Sequence, residues 1–251
     1  MIEISNLNYS INNNPILKDI TTNLPNGKLT ALVGTNGAGK STLLSLIARL
    51  QTIQSGQIRV GGLDVSTTPT NKLAKTLAIL TQNNVIHNRL TIRDLVAFGR
   101  FPHHKGRPTA EDKRKVEEAL EQFELTEIAT RFLDELSGGQ AQKAFVGMTY
   151  CQDTDYLLLD EPLNNLDMAS SRALMKNLKY LCEEKGKTIV VVLHEINYEA
   201  IYADWIVGLK RGHVVASGSG RDIVTTEHLQ SIFEIHIDVE KIGNKTIALN
   251  N

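Results

Sequence analysis

Short runs of consecutive apolar residues alternate along this chain with stretches in which apolar positions recur every three or four residues. Leu29 to Val33 reads as a buried strand, and Leu43, Leu44, Leu46 and Ile47 behind it read as one helix face. Gly56 to Gly62 reads as a short strand and turn, and Leu77 to Leu80 as a strand ending at Thr81-Gln82. From about Asn83 to Cys151 strand signals give way to helical ones. Thr109-Ala110-Glu111-Asp112 resembles a capping box, followed by Val116, Ala119, Leu120 and Phe123 at helical spacing. Tyr156 to Leu159 and Thr188 to Leu193 are continuous apolar runs, as expected of parallel strands covered on both faces. Between them Leu174, Leu178 and Leu181 mark a helix. Two hairpins complete the pattern. One lies within residues 1–24 and turns at Asn12-Asn13-Asn14-Pro15; the other joins Trp205–Leu209 to His213–Ala216 through Lys210-Arg211-Gly212. The pattern predicts an α/β fold with a mostly parallel sheet, an antiparallel β part, and a helical insertion over about 83–153 in a single domain spanning 1–251.

Composition narrows the class only slightly. The chain has 251 residues, 41% hydrophobic and 22% charged, enough to bury a full core. A net charge of −1 argues against a nucleic-acid partner. No run approaches the roughly 18 apolar residues of a membrane span. Met1-Ile2-Glu3-Ile4 lacks the basic and apolar regions of a signal peptide, so a cytosolic chain is expected. Cys151 and Cys182 lie in helix-like contexts and read as buried, reduced thiols.

Candidate chemistry begins between the first buried strand and its helix. Gly34-Thr35-Asn36-Gly37-Ala38-Gly39-Lys40-Ser41-Thr42 has the form G-x-x-x-x-G-K-[ST]. Its glycines let backbone N–H groups turn inward on an anion, and the helix N-terminus adds partial positive charge. Lys40 would bridge the β- and γ-phosphates of a nucleoside triphosphate, and the Ser41 hydroxyl would bind Mg²⁺. The strand Tyr156–Leu159 runs into Asp160-Glu161, and ligands of such sheets sit beyond the carboxyl ends of strands. Asp160 would hold Mg²⁺, and Glu161 would orient and help deprotonate an attacking water. His87, His103 and His104, in the segment Asn83 to Arg107, read as solvated surface.

Leu136-Ser137-Gly138-Gly139-Gln140 is a second anion-binding turn: Ser137 is a good N-cap, and two glycines permit close backbone approach. With it the chain resembles the ATP-binding-cassette ATPases, over residues 1 to about 240. The resemblance implies a P-loop NTPase (RecA-like) core, with the helical insertion carrying this signature motif. It also implies that the motif binds the γ-phosphate held by the P-loop of a second subunit, so that two ATP molecules lie between two copies, as in a homodimer. Gln82 resembles the glutamine that touches Mg²⁺ and the transmembrane partner. His194 resembles the switch histidine at the γ-phosphate, and Asn164-Asn165-Leu166-Asp167 resembles the D-loop, with Asp167 at the subunit interface. The adenine platform of relatives falls on Ile11, with Tyr9 as the alternative on the same strand face. Gln140 is followed by Ala141-Gln142-Lys143, where relatives often carry Arg, and Glu195 replaces the more usual Asp.

Within the family the chain looks most like the ATPases of bacterial ferric-siderophore importers of the catecholate branch. Leu90 to Pro102, Asp160 to Met168 and Leu193 to Tyr198 carry that likeness. The implied partners are a transmembrane permease, engaged through the segment after Gln82, and a substrate-binding protein. The implied place is the cytoplasmic face of the bacterial inner membrane, as a peripheral subunit. Rival readings keep the cassette and change its use: another import cargo such as heme, cobalamin or a hydroxamate siderophore, or a soluble ATPase of iron–sulfur assembly.

Overall fold

A computed structural model of the chain describes residues 1–82, 89–193, 196–242 and 245–249. The elements in chain order begin with β1 (Ile2–Ile11), β2 (Asn14–Leu24), β3 (Leu29–Val33), α1 (Lys40–Ile47), β4 (Ser55–Val60) and β5 (Leu63–Asp64). They continue with α2 (Thr70–Leu73), β6 (Leu77–Leu80), α3 (Ile92–Phe98), α4 (Phe101–His104), α5 (Ala110–Gln122) and α6 (Gly138–Cys151). After β7 (Tyr156–Asp160) come α7 (Met168–Glu183), β8 (Thr188–Val192), α8 (Ile196–Tyr202), β9 (Trp205–Lys210) and β10 (His213–Ser219). The chain ends with α9 (Gly220–Ile223), α10 (Thr226–Phe233), β11 (Asp238–Ile242) and β12 (Lys245–Leu249). It divides into two compact units, Met1–Thr68 with Met175–Asn251, and Pro69–Leu174; α7 runs through the second boundary.

In the first unit β3 pairs in parallel with β8 and β9, Leu32 lying opposite Val192 on one side and Val207 on the other. All five residues of β3 and all five of β8 are buried, which is why both read as continuous apolar runs. β10 returns antiparallel to β9. A second, antiparallel group has the order β2-β1-β4-β5. Its first hairpin closes through Asn12 and Asn13, both at positive φ (50° and 64°), a two-residue turn that suits asparagine. The Thr22 and Ser217 hydroxyls share a hydrogen bond between β2 and β10. α1 packs against β2 and β4 with Leu43, Leu44, Leu46 and Ile47 fully buried, the apolar face read from the sequence.

The second unit holds the parallel pair β6–β7, Leu77 opposite Tyr156, and the helices α2 to α6. Its boundaries take in this strand pair as well as the helical block. α3, α5 and α6 pack on one another around Ile92, Leu95, Val96, Val116, Ala119, Leu120, Ala144 and Val146, all buried. Gly99 makes the closest approach possible: a Cβ there would lie 2.2 Å from the Met148 carbonyl oxygen. α5 starts at the expected capping box, Thr109 accepting from the Asp112 amide while Asp112 accepts from the Thr109 amide. Among the described residues no helix is long and apolar enough to cross a membrane.

Candidate functional site

The phosphate-cradling loop grows directly out of β3. Gly34 sits at φ 142°, and a Cβ there would meet the Leu209 carbonyl oxygen at 2.1 Å, so no side chain fits against β9. Gly39 is the left-handed N-cap of α1 at φ 105°. Between them the chain wraps around its own lysine: Lys40, 5% exposed, donates through Nζ to the carbonyl oxygens of Gly34 (2.7 Å) and Thr35 (3.1 Å). Two loop carbonyls thus hold a buried ammonium at the start of α1, and no acidic residue occupies that helix's first turn. Asn36 and Gly37 are exposed on the rim, Ala38 is buried, and Ser41 and Thr42 are half-buried. Such a cup suits the charge and the oxygen-rich surface of a polyphosphate.

The two adenine candidates differ in what they offer. Tyr9 is buried and its hydroxyl donates to Gln51 Oε1 at 2.9 Å, whereas Ile11 is 45% exposed at the strand end. The register of β1 against β2 shifts between Tyr9 and Ser10. Of the pair, Ile11 carries the accessible apolar surface.

In the second unit β7 is buried along its whole length and ends at Asp160, itself 6% exposed. Glu161 follows at φ 50°, a left-handed backbone that a non-glycine residue adopts only where its surroundings hold it. Those surroundings are visible. Gln82 Nε2 and Asn164 Nδ2 each donate to Glu161 Oε2 at 2.7 Å, and the Asn164 amide donates to the Glu161 carbonyl at 3.2 Å. Donation through Nε2 leaves the carbonyl oxygen as the end of the Gln82 amide that can ligate a cation. Gln82 and Glu161 are candidates in the sequence, whereas Asn164 stands there only as part of the D-loop-like turn. The readable signal was an amide side chain three residues past the carboxylate, within a turn.

The turn Leu136 to Gln140 opens α6. Ser137 Oγ accepts from the Gln140 amide and Gln140 Oε1 accepts from the Ser137 amide, each at 3.2 Å, a reciprocal cap. A Cβ on Gly138 would lie 3.1 Å from Asn165 Cβ, and one on Gly139 would lie 3.2 Å from Leu166 Cδ2. The glycines therefore let the loop after Glu161 press directly on this turn. Asp167 caps α7, accepting from the Ser170 amide at 2.7 Å. That bond, the Ser170 hydroxyl and the Ala169 amide hold its carboxyl below the ordinary range. His194 and His87 lie outside the described residues. His103 bonds the Gln152 carbonyl oxygen at 2.8 Å, and His104 Nδ1 accepts from the Gly106 amide at 2.9 Å, so both have local structural partners. No group of three or more His, Cys, Asp or Glu poised to hold a metal occurs among the described residues. Oxygen donors for a hard divalent cation are nonetheless present at Ser41, Gln82 and Asp160.

A P-loop on a parallel α/β core, with an Asp-Glu strand end and a capped S-G-G-Q turn, defines a nucleoside-triphosphate-hydrolysing domain. The family model described as ABC transporter matches residues 17–164, and the chain belongs to that family as one of its ATPases. It is 45% identical over 249 residues to the petrobactin import ATP-binding protein YclP of Bacillus subtilis (strain 168), covering 99% of each chain. It is 36% identical to the ferric enterobactin transport ATP-binding protein FepC of Escherichia coli (strain K12), covering 87% of this chain and 81% of the other. Among solved structures, the dimeric ATP-binding cassette MJ0796 in a post-hydrolysis state with ADP and Pi superposes with a TM-score of 0.78. It is 27% identical, and the match covers 88% of this chain and 99% of that one.

Proposed function

We propose that this chain is the ATPase subunit of an importer of ferric siderophores, peripheral to the cytoplasmic face of the membrane and attached there to a permease. What carries the reading is the full-length 45% identity to a petrobactin import ATP-binding protein, joined by the ferric enterobactin relative. The chain is proposed to be one cassette over 1–251, used as a homodimer, with a substrate-binding protein delivering cargo to the same permease.

The residues divide the chemistry as follows. The amides of Gly34 to Thr42 and the Lys40 ammonium bind the phosphates of ATP, and Ile11 packs against adenine. Ser41, Gln82 and Asp160 would hold Mg²⁺, which when bound neutralises charge on the β- and γ-phosphates. Glu161 accepts a proton from the attacking water and aims its lone pair at the γ-phosphorus. His194 donates to the γ-phosphate. Ser137, Gly138, Gly139 and Gln140 close on the ATP of the second copy, with Asp167 at that interface. Binding closes the pair, hydrolysis reopens it, and the segment after Gln82 passes the movement to the permease.

The test is iron uptake. Cells lacking this chain, complemented with the wild type or with Glu161→Gln, are fed radiolabelled iron loaded on petrobactin, enterobactin, a hydroxamate siderophore or heme. The proposal expects uptake from a catecholate-bearing siderophore, restored by the wild type and not by the variant. Rescue only with hydroxamate or heme would move the cargo, and no effect on any chelate would sink the import reading.

A further inference from the structure

We propose that Asn164 is the positioning residue for Glu161, and that its own place is set by the Ser137–Gly139 turn. This rests on the reading of Glu161 as the group that activates water. Three observations carry it. First, two amide donors converge on one carboxylate oxygen, Gln82 Nε2 and Asn164 Nδ2, both 2.7 Å from Oε2. An oxygen that accepts two such bonds has its carboxylate plane fixed, and a base delivers its rate only from a fixed orientation. Second, the same residue grips Glu161 twice. Its backbone amide donates to the Glu161 carbonyl at 3.2 Å, so backbone and side chain of Asn164 hold both ends of a residue kept at φ 50°. A further turn follows at once, the Leu166 amide donating to the Leu163 carbonyl at 3.1 Å.

Third, the two residues after Asn164 have no slack. Asn165 Cβ and Leu166 Cδ2 lie where side chains on Gly138 and Gly139 would be, at 3.1 and 3.2 Å from the Cβ positions. A shift of that turn is therefore felt by the loop within one residue of Asn164. Gln82 reaches Glu161 from the end of β6, and Asn164 reaches it from inside the loop that the turn presses on. Asn164 is thus the member of the pair that can report the state of the turn.

The side chain of Asn164 is exposed, so its replacement leaves the core untouched. The experiment measures steady-state hydrolysis of MgATP by the full chain, comparing wild type, Asn164→Ala and Asn164→Asp, each also in the Glu161→Gln background. Asn164→Ala should lower kcat about tenfold with KM for ATP unchanged. Asn164→Asp keeps the size, replaces the donor by an acceptor facing a carboxylate, and should lower kcat further than alanine does. In the Glu161→Gln background neither change should matter, because the carboxylate they position is gone. Equal kcat for Asn164→Asp and wild type would overturn the proposal. So would a loss that persists at full size in the Glu161→Gln background. If Glu161→Gln alone turned over at the wild-type rate, the failure would lie in the assignment of Glu161.

Discussion

Replacing Asp112 by Ala should unsettle the second unit through a single buried ion pair. Asp112 and Arg100 side chains are each 6% exposed, and Arg100 Nε donates to Asp112 Oδ1 at 3.0 Å. The other carboxylate oxygen takes the Thr109 amide (2.9 Å) and hydroxyl (2.7 Å) at the start of α5. Arg100 also donates to the Cys151 carbonyl at the end of α6, so one guanidinium ties both helices together. Burial pushes the Asp112 carboxyl up, but the Thr109 bonds and the Arg100 guanidinium outweigh it and hold it down at about 2, against an ordinary 3.8.

That depression, unscreened, corresponds to about 2.5 kcal/mol. The pair lines a cavity of about 340 Å³, where solvent screening lowers the figure to about 1–2 kcal/mol. Alanine also strands the guanidinium and removes the cap, so the total cost should be about 2–3 kcal/mol, below the range for a fully enclosed pair. In a chain of this size that moves the thermal midpoint down by about 5–10 °C. The sign with pH follows from a folded value below the unfolded one. The contribution is complete well above pH 3.8 and is lost as pH falls from there toward 2. Urea unfolding followed by circular dichroism at pH 7 and pH 3 should therefore give a gap between wild type and Asp112→Ala that is smaller by about 0.5–1 kcal/mol at the lower pH, where about half of the ionisation contribution is gone. A midpoint unchanged at pH 7, or a gap that keeps its full size at pH 3, would refute the reasoning.

Two smaller expectations follow from buried groups. Burial pushes the thiols of Cys151 and Cys182 up to about 12. Iodoacetamide at pH 8 should leave both unmodified in the folded chain and alkylate both in urea, and rapid labelling without denaturant would contradict their burial. The Thr30 hydroxyl on β3 is buried with no hydrogen-bond partner among the described residues. Thr30→Val should then be neutral or up to about 1 kcal/mol more stable in urea unfolding, and a loss of stability would show that the hydroxyl is bonded.

Much of this fold can be read from the chain because its central strands are buried on both faces. Leu29–Val33, Tyr156–Asp160 and Thr188–Val192 have every residue inside, so each is a mostly apolar run, interrupted only by Thr30, Thr188 and the terminal Asp160. The capping boxes at Thr109 and Ser137 are equally visible, because their bonds span three residues. The C-terminal part carries weaker signals. β11 and β12 mix Asp, Glu and Lys with apolar residues, and among the described residues they pair with each other alone. Gly243-Asn244 between them was the available hairpin signal in the sequence. α8 to α10 are eight residues or fewer, too short for helical periodicity to stand out. At the site, motif spacing identified Lys40, Ser137 and Glu161 as candidates. The convergence of Gln82 and Asn164 on one oxygen of Glu161 could not be read the same way. Gln82 comes from 79 positions away, and a turn geometry decides where the Asn164 amide points.

Glu161 is the residue proposed to activate water, and turnover should depend on it more than on any other side chain. The direct measurement is MgATP hydrolysis by Glu161→Gln beside wild type, with bound ATP quantified in the same samples. Turnover should fall by about 10²-fold or more while ATP remains bound. Hydrolysis at the wild-type rate would contradict the account.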